Sequence, residues 1–161
     1  MCSSDLADVM EVFTGLAGGR GIFSGGTFSG NPMTMAAGAA AVGYLKDHPE
    51  TYTYLNAQGD RLANAINGFC AERQLPVQMK NAGSMFHLFF QRAPVESARD
   101  IRENIQAQKA FYLHALNRGV LVPGTQRAFL SAAHAPEDVD ELIRVFRESL
   151  IDTEADGLFA R

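Results

Sequence analysis

Residues 77–90, VQMKNAGSMFHLFF, decide how this chain folds. Two short runs, 77–80 and 85–90, flank Asn81-Ala82-Gly83, a composition that suits a tight turn between strands. The second run is apolar apart from His87, as expected of a strand whose sheet has at least one covered face. His87 is then a hydrogen-bonded sheet residue on the less buried side. Pro76, just before the first run, ends whatever precedes it.

Upstream, residues 49–74 place Leu55, Leu62, Ile66, Phe69 and Cys70 at helical spacing, with charges opposite. His48-Pro49 separates this helix from an earlier one over 31–46, where Asn31 caps and Pro32 takes the first helical position. Ala36, Ala37, Gly38, Ala39 and Ala40 give that earlier helix little bulk, which predicts a close-packed neighbour. A glycine-rich loop fills 15–30, behind a short helix over 8–13. Downstream, a helix is expected over 100–117, closed by Gly119. Short strands follow at 120–122 and 128–131. A last helix starts at Pro136, with Val139, Leu142, Ile143, Phe146 and Leu150 on one face and Glu137 and Asp138 in its first turn. The tail, 152–161, lacks periodicity and reads as loose.

The order from Pro76 onward is strand, strand, helix, strand, strand, helix. Helices covering one face of a small, mostly antiparallel sheet would bury these stripes, which makes the region an α+β unit. The chain thus divides into 1–45, the end of something larger; 46–75, a linking helix; 76–151, a small α+β domain; and 152–161, the tail. Residues 1–6 read as non-native, since Cys2-Ser3-Ser4-Asp5-Leu6 is what a common sequencing-adapter string would encode, placed on a truncated gene.

With 161 residues the chain can bury a real core, and 47% hydrophobic with 20% charged residues is ordinary for a soluble domain. Fourteen basic and 18 acidic residues are dispersed, giving a net charge of −4 with no basic cluster for nucleic acid or a membrane surface. The most apolar stretch, 33–45, is too short to span a bilayer. Two cysteines, Cys2 and Cys70, fit a reducing cytosol, with Cys70 a small buried hydrophobe. His48 and His114 have no partners at any metal-ligand spacing, and no metal site is expected.

The loop Ser24-Gly25-Gly26-Thr27-Phe28-Ser29-Gly30-Asn31-Pro32 offers backbone N–H groups and a hydroxyl, the donors a phosphate dianion requires. It has no Gly-Lys-Ser/Thr ending and is not a P-loop. From the residues alone it is either a phosphate cradle or a turn that caps the next helix.

Residues 25–38, GGTFSGNPMTMAAG, resemble the segment that follows the cofactor lysine in class III aminotransferases. Ala7-Asp8-Val9-Met10 resembles the short helix before it, and residues 83–90, GSMFHLFF, the strand motif of the family's small C-terminal domain. Asn117-Arg118-Gly119-Val120 is similar to its helix-to-strand junction. Residues 130–140, LSAAHAPEDVD, are similar to the approach to the final helix in the semialdehyde-aminomutase branch. The likeness runs in register from about residue 7 to 150.

The resemblance implies the C-terminal part of a fold-type I enzyme dependent on pyridoxal 5'-phosphate, active in the cytoplasm as a homodimer on a small amino or keto substrate. It implies that Gly26 and Thr27 bind the phosphate of the cofactor held by the other protomer, with the Ala-rich helix near the interface. The family's Schiff-base lysine lies upstream of this segment. Lys46, Lys80 and Lys109 read as solvated surface residues, so the chain alone is expected to be inactive. Arg127 lies near where many class III transaminases carry a substrate-carboxylate arginine, but its surroundings do not match that motif, and a strand-edge charge is the preferred reading. His134 and Ser131 read as loop or cap residues. The branches left open are an aminomutase, an ordinary transaminase, and a non-catalytic association domain.

Overall fold

The computed structural model describes residues 26, 28–102, 104–122 and 127–159. The expected helix over 8–13, most of the glycine loop and Thr27 lie outside the described residues. The chain forms two compact units, 1–47 and 48–161.

The described part of the first unit is a turn leading into helix α1, Pro32–Asp47. The Asn31 side-chain carbonyl accepts from the N–H groups of Met33 (3.0 Å) and Thr34 (3.3 Å), the N-cap read from the sequence. Apolar residues are spread around α1 rather than gathered in a stripe, and none of its residues is buried. Among the described residues, a Cβ added to Gly38 or Gly43 would meet nothing within 4 Å, so none of them packs closely there.

The second unit is an α+β fold of helix α2 (Glu50–Glu72), strands β1 (Gln78–Ala82) and β2 (Met85–Phe89), helix α3 (Ile105–Asn117), strand β3 (Ala128–Phe129) and helix α4 (Pro136–Ala155). The sheet is antiparallel in the order β1-β2-β3, with Lys80 opposite His87, Asn81 opposite Phe86 and Met85 opposite Phe129. Alternation puts Met79, Phe86 and Leu88 on one face, where they are buried with Leu62, Ile66, Phe111, Val139 and Phe146. Phe111 is central, its ring 5.1 Å from that of Phe146 and 5.4 Å from that of Phe90. Gln78, Lys80, Met85, His87, Phe89 and Phe129 point to the other side.

Helix α2 is a core element and not merely a linker: Leu62, Ala63, Ile66 and Cys70 are buried on it, and Gly59 faces the β1–β2 turn. A Cβ on Gly59 would fall 2.0 Å from the Gly83 carbonyl oxygen, so the hairpin tip lies directly on the helix backbone. Gly83 takes φ +58°, and a Cβ there would meet Asn56 Oδ1 at 2.4 Å. The turn sits one step later than the sequence suggests, since Asn81 and Ala82 belong to β1. Asn81 Nδ2 donates to Asp60 Oδ1 at 2.7 Å, tying that strand end to α2.

Three further expectations are corrected. The helix expected from residue 100 begins at Ile105, because Ser97 and Asp100 close their own short turn, Ala98–Asp100, and Asn104 caps α3 through Ala107 N–H at 3.1 Å. Residues 120–122 form no strand. Val120 and Val122 pack against the core as irregular chain, and Leu121 is 79% exposed. The tail is ordered as far as it is described: α4 continues to Ala155, Thr153 is fully buried with its hydroxyl donating to the Ser149 carbonyl at 2.7 Å, and Leu158 and Phe159 pack on the core. Cys70 is buried as expected, and burial pushes its thiol up to about 12.

Candidate functional site

Gly26 opens the turn before α1, its carbonyl accepting the Ser29 N–H at 2.9 Å, while the Phe28 carbonyl accepts from Asn31 at 3.1 Å. Gly30 takes φ +72°, a backbone that glycine adopts without strain. A Cβ on Gly26 would lie 3.1 Å from Ser29 Oγ, so glycine lets that hydroxyl lie against the main chain. Since Asn31 occupies the N–H groups of Met33 and Thr34, the helix end does not present those two donors to an anion. What the turn offers is exposed glycine backbone beside the Ser29 hydroxyl. That donor set suits phosphate oxygens and carries no charge of its own. Of the two residues expected to bind phosphate, Gly26 stands on this exposed turn, and Thr27 lies outside the described residues.

The second unit contains a cavity of about 450 Å³ between β2, β3, the segment after α3 and the start of α4. Phe86, Val120, Leu130 and Leu142 give it an apolar floor, and Arg127 and His134 stand exposed on its border. His134 is held as a cap. Its Nδ1 accepts the Ser131 N–H at 2.9 Å, its own N–H donates to the Ser131 carbonyl at 3.0 Å, and its carbonyl accepts the Tyr54 hydroxyl at 2.7 Å. With Nδ1 an acceptor, the neutral ring carries its proton on Nε2. Asp138 caps α4 by accepting the Ala135 N–H at 2.8 Å. The sequence marks Ser131 and His134 as loop residues. It does not reveal Tyr54, which is 80 positions away from its acceptor.

Ionic contacts hold α3 to α4. Arg118 bonds Glu148 at 3.1 Å and also pairs with Asp152, and His114 Nε2 lies 2.8 Å from Asp156 Oδ2. The Asp152 hydrogen bond raises the Arg118 pKa above its usual range, and the Arg144 guanidinium holds the Glu141 and Glu148 carboxyls below theirs. Exposed pairs such as these add little stability each. Lys46, Lys80 and Lys109 are all exposed, as a solvated surface role requires.

No family model matches the chain. It is 36% identical over 132 residues to glutamate-1-semialdehyde 2,1-aminomutase of Thermus thermophilus, matching 80% of this chain and 31% of that protein. The enzyme of the same name from Ruminiclostridium cellulolyticum is 30% identical over 145 residues, matching 88% of this chain and 33% of the relative. The chain therefore spans about a third of the length of the relatives it matches. Among solved structures, a β-phenylalanine aminotransferase from Variovorax paradoxus aligns with a TM-score of 0.74 and 27% identity over 93% of this chain and 34% of its own. An omega-transaminase from Sphaerobacter thermophilus gives 0.70 and 26% over 92% and 34%. Sequence and fold agree along most of the described residues, and the chain belongs to the class III aminotransferase family.

Proposed function

We propose that this chain is the C-terminal third of a pyridoxal-phosphate-dependent enzyme that moves an amino group. Its substrate is glutamate-1-semialdehyde, converted to 5-aminolevulinate for tetrapyrrole synthesis. The observation that carries this reading is the 36% identity to the Thermus thermophilus aminomutase over 80% of the chain. When bound, the cofactor supplies an imine and a protonated ring that together act as an electron sink. This chain's part is to hold and not to transform. Gly26 and Thr27, with the Ser29 hydroxyl close by, would bind the phosphate of the cofactor seated in the other protomer of a cytoplasmic homodimer. Lys46, Lys80 and Lys109, all exposed, lack the enclosed setting that an imine-forming lysine needs, so the chain alone is inactive.

The longer enzyme tests this. Turnover of glutamate-1-semialdehyde without any second keto acid is expected, since a mutase keeps the nitrogen within one substrate skeleton. An absolute requirement for a keto acceptor would replace the reading with that of an ordinary transaminase. That second reading draws on the two transaminases whose folds align over more than 90% of this chain. The 161-residue chain, mixed with pyridoxal phosphate and reduced with borohydride, should give no stoichiometric lysine adduct by mass spectrometry.

A further inference from the structure

Among the described residues β1 is an outer strand of the sheet, and an outer strand has backbone groups that no ladder satisfies. At Met79 one side chain from α2 takes both. Asn67 Oδ1 accepts the Met79 N–H at 2.8 Å, and Asn67 Nδ2 donates to the Met79 carbonyl at 2.9 Å. A primary amide suits this contact, since it carries an acceptor and a donor on one planar group. Met79 is itself a core residue, so the amide pins the strand edge to the helix where the side chain is buried. The next residue, Gly68, is exposed within α2, and a Cβ there would meet nothing within 4 Å, so packing does not ask for glycine. Glycine weakens a helix interior relative to alanine. Asn67-Gly68 is also the one Asn-Gly pair in the sequence. In such a pair no side chain on the second residue hinders its nitrogen from reaching the amide carbon of the first.

We propose that Asn67 is a deamidation site, silent while α2 and β1 are joined and reactive when they part, and that its conversion unlatches the sheet edge. In the reaction the Gly68 nitrogen gives up its proton to solvent and bonds to Asn67 Cγ. The Cγ–Nδ2 bond breaks and ammonia leaves. Water then opens the five-membered imide to aspartate or isoaspartate. In the folded unit neither group is free, because the helix ladder occupies the Gly68 N–H and Met79 holds the amide. Both products are carboxylates at neutral pH. Aspartate still accepts the Met79 N–H, but it has no proton for the Met79 carbonyl and sets negative charge against that oxygen. Isoaspartate also adds a methylene to the backbone of α2, between buried Ile66 and Cys70, and puts their stripe out of phase. The change runs one way, so each opening of the edge adds to the chains that cannot close it.

Incubation of the 161-residue chain in mildly alkaline buffer tests this, with mass spectrometry of the peptide that contains residues 67 and 68. The folded chain, its helix content checked by circular dichroism, should convert at least about tenfold more slowly than the same chain in urea. Equal rates would overturn the proposal. Gly68→Ala fits the open space beside α2 and should remove most of the conversion seen in urea. An undiminished rate in that variant would overturn the attack by residue 68. Asn67→Asp reproduces one product directly. At pH 7 it should raise the unfolding equilibrium constant about tenfold over the unaltered chain, as expected for a carbonyl left without its donor. That excess should shrink as pH falls to about 4, where the protonated acid donates to Met79 as the amide does. Asn67→Ala is the control, with an excess that does not shrink. An Asn67→Asp excess that is absent at pH 7, or that follows the alanine variant across this range, would overturn the unlatching.

Discussion

Helices α1 and α2 follow each other in the chain, and both carry many apolar residues. In α2 they fall on one stripe, and Leu62, Ile66 and Cys70 are buried. In α1, Met33, Met35, Val42 and Tyr44 are spread around the helix and are each more than half exposed. Apolar content alone does not build a core; phase does. The second helix is made for a partner within its own unit, whereas none of the first helix's residues is buried.

The comparison can be broken first at Leu62. Leu62→Ala should cost about 2–5 kcal/mol, because it empties a fully buried site, and urea unfolding of the 161-residue chain measures it. A cost near zero would mean that α2 is as dispensable as α1. Gly59→Ala should cost about 1–3 kcal/mol, since the new methyl would meet the Gly83 carbonyl and the hairpin must move. A fall in the melting temperature checks it, while Gly38→Ala on α1 should not lower it.

A pH-limited effect comes third. The Cys70 thiol is raised from an ordinary 9.0 to about 12 by burial, so the folded protein keeps a proton that the unfolded chain releases. Its contribution to stability is complete below pH 9 and is lost as pH climbs toward 12. Cys70→Ala should flatten that alkaline decline in denaturation curves recorded across the window, and an unchanged slope would remove Cys70 as its cause. The smallest effect belongs to α1. Met35→Ser with Val42→Ser should shift the chain's stability by less than about 0.5 kcal/mol. A larger loss in calorimetry would show that α1 leans on the chain after all.

The hairpin, the α2 stripe, the Asn31 cap and the Pro136 start are legible in the sequence because each is decided by neighbouring residues. What escapes is decided by competition or by distance. Ser97 and Asp100 spend their side chains on a short turn and delay α3, although the composition of 100–117 suits a helix throughout. Residues 120–122 have strand-like side chains but gain no ladder. The final turns of α4 are held by Thr153, Leu158 and Phe159, whose burial depends on elements far back in the chain. Of the candidate site, Gly26 is legible as a turn former. A ligand that would arrive from another protomer leaves no mark in one chain's spacing.

The Gly59–Gly83 contact has a consequence for fidelity. A strand that slides by one residue turns its inward side chains out, which here would present Phe86 and Leu88 to water and drive His87 into the core. With bare backbone meeting bare backbone at the hairpin tip, there is no compressible side chain to absorb such a slide. The helix thus indexes the ladder, and the aromatic side of the sheet keeps its outward orientation by collision rather than by attraction.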